Sequence, residues 1–304
     1  MVKVFCKIIL SEKHINKKRK MFKLFAALSM LLLALCIRLP ENMRGYGYSL
    51  YREAIKMSSL FNVRNYTTLE GSHFEVKYPA DVDEAEAKLV LDAAEKFYAP
   101  VSENYNFTPP KKIPVIIYSS KEKLNRFFGW PASESAMGVY WSGVICVLSP
   151  KSWVESDDPK KIEDVFVNSG PMAHEYTHLV VDYLTRGNYP RWFTEGLAQY
   201  EEYKLTGFRF TESGGNLHQK LYSFHDLAQN FDYLPNQSLA YRQSFAAVKF
   251  LVDNYGEAGI LDIMKVLSRG KSIDEALKKL TGNGVDGFEK ELTQWIFLNI
   301  SQFG

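Results

Sequence analysis

The stretch Pro171–Glu202, reading PMAHEYTHLVVDYLTRGNYPRWFTEGLAQYEE, most constrains what this chain can fold into. From Met172 to Leu184 it is apolar nearly all round, broken only by His174, Glu175, Thr177, His178 and Asp182. A helix of that kind belongs inside a domain. Gly170 and Pro171 punctuate its start, and Thr185–Pro190 is a short breaker-rich loop. Arg191 onward resumes helical spacing through Trp192, Phe193, Leu197, Ala198 and Tyr200, with Glu195 in its midst. Small residues at Gly196 and Ala198 are expected to let this second helix lie close against the first. His174 and His178 are four apart and share a helix face, so both imidazoles reach one point in space. Buried beside Glu195, they are hard to satisfy without a cation, because unpaired polar groups are costly inside a protein. Two imidazoles and a carboxylate leave a tetrahedral Zn²⁺ with one open position for water. Glu175 sits to the side of that face, where it touches the water without being a ligand.

Charge is unevenly distributed. Of 37 Lys/Arg and 35 Asp/Glu, residues 1–38 hold nine of the bases and only Glu12 of the acids, a local excess of +8. The rest carries 28 bases against 34 acids, net −6, which argues against a nucleic-acid partner. Leu24–Ile37 is a 14-residue apolar run behind basic residues and reads as a secretory h-region. As a helix it spans about 21 Å, short of the ~30 Å hydrocarbon core. A cleaved signal peptide and a short uncleaved membrane anchor both fit, with Met1 or Met21 as the start. Either way the expectation is an extracytoplasmic protein, secreted or held at the membrane through its N-terminal segment. Cys6 and Cys36 lie in this leader, leaving Cys146 without an internal disulfide partner.

Along the chain, 1–38 is expected to be leader and 39–71 a stalk or linker, with helical spacing over Glu41–Asn65. Domain structure is expected from about Ser72. His73–Tyr78 and Ile113–Tyr118 read as strands, Asp83–Tyr105 and Lys121–Phe128 as helices, and Ala136–Leu148 as two strands turning at Ser142-Gly143. After the motif helices come helical segments over Phe224–Phe231, Leu239–Tyr255, Ala258–Leu267, Ile273–Leu280 and Val285–Phe297. The expected class is α+β, with a catalytic part over 72–205 and a helical lobe over 206–304.

The segments GPMAHEYTHLVVDYL (Gly170–Leu184), RWFTEGLAQYEE (Arg191–Glu202) and, less specifically, YRQSFAAVKFLVDNYG (Tyr241–Gly256) resemble the peptidase MA-like family. This is the gluzincin group of zinc metallopeptidases that includes thermolysin and the M1 aminopeptidases. The resemblance covers about Ser72–Leu298. It implies a thermolysin-like zincin: a small mixed sheet beside the active-site helix, and a helical lobe closing the cleft. It also implies His174, His178 and Glu195 as zinc ligands, Glu175 as general base, and a peptide or protein substrate. A Tyr or His from the helical lobe stabilises the oxyanion in this group, and Tyr241 is the expected residue, with His225 and His218 as rivals. Gln199 and Asp182 are weighed as acceptors for the metal-bound imidazoles, with solvated positions expected for both.

Two departures stand out. Sixteen residues separate His178 from Glu195, slightly fewer than in the M1 enzymes. The GxMEN motif that holds a substrate's free amine there has only Ala136-Met137-Gly138-Val139-Tyr140 here, without the glutamate. The first implies a shorter connecting loop; the second puts aminopeptidase activity in doubt and favours an endopeptidase or a specialised peptidase. Gly138–Trp141 is equally an edge strand for an extended substrate or an ordinary core strand. The alternatives are a catalytically silent zincin-like scaffold or sensor at the membrane, a metal-free domain with an accidental HExxH, and a hydrolase of non-peptide amides.

Overall fold

The computed structural model describes residues 41–134, 136–209 and 214–303. Residues 1–38, expected to form a leader with a signal peptide or membrane anchor, lie outside the described residues. No helix among them is long and apolar enough to cross a membrane.

Helix α1 (Glu41–Asn62) leads into β1 (Thr67–Glu70) and β2 (Phe74–Tyr78). Then come α2 (Glu84–Asn104), β3 (Ile113–Tyr118), α3 (Lys121–Phe128), β4 (Gly138–Trp141) and β5 (Val144–Leu148). The remaining helices are α4 (Pro159–Ser169), α5 (Met172–Thr185), α6 (Arg191–Thr206), α7 (Phe224–Gln229), α8 (Gln237–Leu267), α9 (Ile273–Thr281) and α10 (Val285–Leu298). The class is mixed α+β, with one five-stranded sheet in the order β1-β2-β3-β5-β4. β2, β3 and β5 run parallel, while β1 and β4 close the two edges antiparallel.

The parallel centre explains why β3 and β5 are continuous apolar runs: both of their faces are covered. Val115, Ile117, Ile145 and Val147 join the main core with residues of α2 and α5. Their neighbours Ile116, Tyr118, Val144 and Cys146 point the other way and pack with Leu124 of α3. Asp83 caps α2 by accepting from the Glu86 amide, and Ser120 does the same for α3 from Lys123. Ser142 (φ 45°) and Gly143 (φ 88°) make the tight β4–β5 hairpin, because left-handed turn residues match the twist of the strands they join.

Three features differ from the sequence expectation. The sheet begins upstream of Ser72, at the mostly exposed strand β1, which carries no apolar alternation to read. Leu239–Tyr255 and Ala258–Leu267 form one helix, α8, broken at Gly256 (φ 68°, ψ 176°). Gly196 does not serve the contact between the two motif helices. A Cβ there would lie 2.3 Å from the Ser244 carbonyl oxygen and 2.7 Å from Val248 of α8. The close approach it permits is therefore to the helical lobe. Gly196→Ala is expected to force α6 off α8 and to cost about 1–3 kcal/mol. Chemical denaturation measures that loss, and an unchanged midpoint would contradict it.

Helix α1 is more than a spacer. Its Tyr48 hydroxyl donates to Asp182 Oδ1 (2.6 Å) and its Arg52 Nη1 to Asp182 Oδ2 (3.0 Å). The Arg52 guanidinium lies 3.6 Å from the centre of the Tyr183 ring. Asp182 is fully buried on α5, so the solvated position expected for it is wrong: its partners come from 130 and 134 residues away. Arg52→Met is expected to cost about 1.5–3 kcal/mol, the range for a hydrogen bond to a charged group. The thermal midpoint reads it directly.

Candidate metal centre

Helices α5 and α6 face each other across the site, and the Thr185–Pro190 turn sets their register. Arg186 (φ 58°) and Gly187 (φ 75°) end α5 in left-handed geometry, and Pro190 starts α6. His174 and His178 stand one turn apart on α5, with ring centroids 4.7 Å apart. Glu195 Oε2 lies 3.4 Å from His174 Nε2 and 3.5 Å from His178 Nε2. One ligand atom from each of the three residues falls within 4.8 Å of the others.

The remaining atoms of each side chain are already engaged. His178 Nδ1 is 2.6 Å from the buried Thr194 hydroxyl, and His174 Nδ1 is 3.3 Å from Glu202 Oε2. Arg191, one turn before Glu195, holds the other carboxylate oxygen, with Nη2 3.1 Å from Oε1. Both imidazoles thus turn Nε2 toward one point, and Glu195 turns its free oxygen there too. That oxygen is buried and has no hydrogen-bond donor. A carboxylate oxygen in this position is costly unless a cation completes it. The two nitrogen–oxygen separations of 3.4 and 3.5 Å suit a small tetrahedral cation with bonds of about 2.0–2.1 Å. The three residues read from the sequence as ligands are therefore the three that converge.

Charge follows the same plan. Burial works against an ionised Glu195, yet Arg191, His178 and His174 outweigh it and hold the carboxyl well below its usual range. Burial likewise works against a charged His174, but the neighbouring Glu195 and Glu202 carboxylates outweigh it, and its pKa stands well above the ordinary imidazole value. The pocket attracts positive charge and takes a proton when nothing else supplies it.

Glu175, one residue along α5, points to the neighbouring strand. Its Oε2 accepts from the Tyr140 amide of β4 at 2.5 Å. Burial raises its pKa, against the pull of His174 and His178 and the Tyr140 N–H. Gly138 makes this approach feasible: a Cβ there would sit 2.5 Å from Pro171 and 2.9 Å from Glu175 Cγ. Strand β4 is an edge strand, as one of the two sequence readings has it. Val139 faces Cys146 and the Met137 carbonyl accepts from Leu148, so Gly138 and Tyr140 turn their backbone groups away from β5. The Tyr140 hydroxyl then reaches Asp182 Oδ2 at 2.7 Å.

Tyr241 lies on α8 beside the centre. Glu195 and then burial raise its phenol pKa, and Arg191 is hydrogen-bonded to it. Its rivals His225 and His218 are exposed. Gln199 is buried, not solvated, and does not serve an imidazole: its Nε2 donates to the carbonyls of Glu195 (3.2 Å) and Tyr241 (2.9 Å), tying α6 to α8. Thr194, Glu202 and Arg191 were missed in the sequence. Two of them carry a signal there, since Arg191 is four before Glu195 and Glu202 seven after, all on one helix face.

Residues 161–298 match the family described as the peptidase MA superfamily. This segment is similar to the peptidase MA superfamily. The match spans α5, α6 and most of the helical lobe, so every converging ligand lies inside the matched segment, while Tyr140 and helix α1 lie before it. No curated protein matches the chain.

Proposed function

We propose that this protein is a zinc-dependent metallopeptidase of thermolysin-like layout, cutting within peptide chains. The observation that carries the proposal is the buried, donorless Glu195 oxygen set between two Nε2 atoms whose rings are anchored from behind. Two imidazoles and one carboxylate are the donor set of catalytic zinc, and anchoring of the far ring nitrogens is what such ligands require. When bound, zinc supplies a water of lowered pKa and polarises a carbonyl.

The chain's own residues account for the rest. His174, His178 and Glu195 hold the cation. Glu175, poised by burial and by the Tyr140 N–H, takes the proton of the attacking water and passes it to the leaving amine. Tyr241 would donate to the charge that develops on the carbonyl oxygen; its place near Glu195 and Arg191 and the Gln199 bond to its carbonyl support that role. The outward backbone of Gly138 and the Tyr140 carbonyl suit an extended peptide, and the stretch Ala136–Tyr140 lacks the glutamate with which an aminopeptidase would hold a free amine. The basic, apolar leader supports an extracytoplasmic place of action.

Incubation of the zinc-loaded chain with casein and a quenched-peptide library tests this reading. Internal cleavage products are expected. Intact substrates alongside a full zinc complement would leave a silent scaffold instead. A second expectation concerns protons. His174 binds metal only when neutral, and the Glu195 and Glu202 carboxylates beside it favour its protonated form. Zinc uptake should therefore release a proton, and affinity should fall as pH drops. Calorimetry in buffers of different ionisation heat counts that proton; identical heats would refute the assignment.

A further inference from the structure

Helix α1 has two unlike faces. One is the docking face, with Tyr48 and Arg52 bonded to Asp182. The other exposes Leu50 (75%), Met57 (65%), Phe61 (64%) and Tyr46 (62%). At about 100° per residue these four fall within an arc of roughly 60°. Ala54, Gly47, Ser58 and Tyr51 widen it to roughly 140° without one Asp, Glu, Lys or Arg. Single exposed apolar residues are ordinary, but a continuous uncharged stripe of large ones is an interaction surface.

An arginine guards each end. The Arg186 guanidinium lies 4.8 Å from the Tyr46 ring centre, and that of Arg64 lies 4.4 Å from the Phe61 ring centre. This is the pattern of a helix lying in a lipid interface: aromatic and aliphatic side chains in the boundary, cations at headgroup height. Chain continuity names the same occupant. The apolar run Leu24–Ile37 ends only three residues before Glu41, a reach of about 14 Å at most. Arg186 and Arg64 set positive charge at the two ends of the stripe, which an anionic headgroup layer attracts. We infer that the outer stripe of α1 is a docking surface for an anionic lipid bilayer, on which the catalytic domain lies. The inference goes beyond the proposed activity and stands without it.

The test uses the full chain with Cys6→Ser and Cys36→Ser, leaving the buried Cys146 as the natural thiol. Met57→Cys carries an environment-sensitive fluorophore, and Lys279→Cys, exposed on α9, carries the same label as control. Both are mixed with phosphatidylcholine vesicles, with or without phosphatidylglycerol, and with doxyl-lipid quenchers. The expected result is a blue shift and quenching at position 57 on anionic vesicles, with no change at 279. Leu50→Glu combined with Phe61→Glu should reduce quenching at 57 to the level at 279. Both positions are exposed, so an unchanged thermal midpoint confirms the fold. If vesicles bind while the label at 57 stays in water, the leader alone makes the contact and the inference is overturned. A blue shift without lipid, accompanied by a dimer in sedimentation, would overturn it in favour of a second copy of this chain.

Discussion

Glu175→Gln is expected to lower kcat on a peptide substrate by about 10²–10⁴-fold, the usual contribution of a general base. KM and zinc content should change little. The amide keeps the size of the side chain, and its carbonyl still accepts from the Tyr140 N–H, so the contact with β4 survives. What it loses is the capacity to take a proton. None of the three converging metal donors is altered, because Glu175 is held aside by β4 while His174 and His178 face Glu195. The decisive readout is the split between kcat and metal content. Loss of zinc together with activity would make Glu175 a structural residue of the pocket, and undiminished kcat would remove it from the reaction.

Trp192→Ala is expected to be the most damaging change outside the reacting groups. The indole is fully buried at the start of α6. It meets Phe224 of α7 at 4.7 Å and Phe288 of α10 at 6.0 Å between ring centres, and so joins the metal-bearing helix to the helical lobe. Emptying that volume costs about 3–5 kcal/mol, or roughly 6–20 °C in thermal midpoint for a domain of this size. Trp192 also stands three residues before Glu195, so the cavity should loosen the carboxylate and weaken zinc binding. Trp192→Phe should recover most of both losses, since the indole N–H has no acceptor to forfeit among the described residues. Differential scanning calorimetry with and without zinc reads both effects. Equal midpoints for Trp192→Ala and wild type would show that the aromatic cluster does not hold the lobe in place.

Much of the site was legible because its signals are local. Ligand spacing on one helix face needs only the helical period, so His174 and His178 could be picked out from the sequence, while Glu195, on the next helix, came with the resemblance to the peptidase MA-like family. Strand β3 and helix α3 match their expected bounds, since a fully apolar run and a Ser cap speak for themselves. What failed to show was set by distant partners. Asp182 and Gln199 looked solvated because nothing near them in sequence explains their burial; Tyr48 and Arg52 cover one, and the Tyr241 carbonyl engages the other. Gly196 was assigned to the wrong neighbour for the same reason: a small residue announces a close contact but not with whom. Thr194 behind His178 is a pairing across the helix turn that periodicity alone does not disclose.

Helices α5 and α6 are proposed to hold one cation between them. Zinc stoichiometry after loading and exhaustive dialysis, compared between wild type and His178→Ala, tests it most directly. One retained zinc per wild-type chain, with little or none in the variant, is the predicted result. A wild-type chain that keeps no zinc, or a variant that keeps as much, would contradict it.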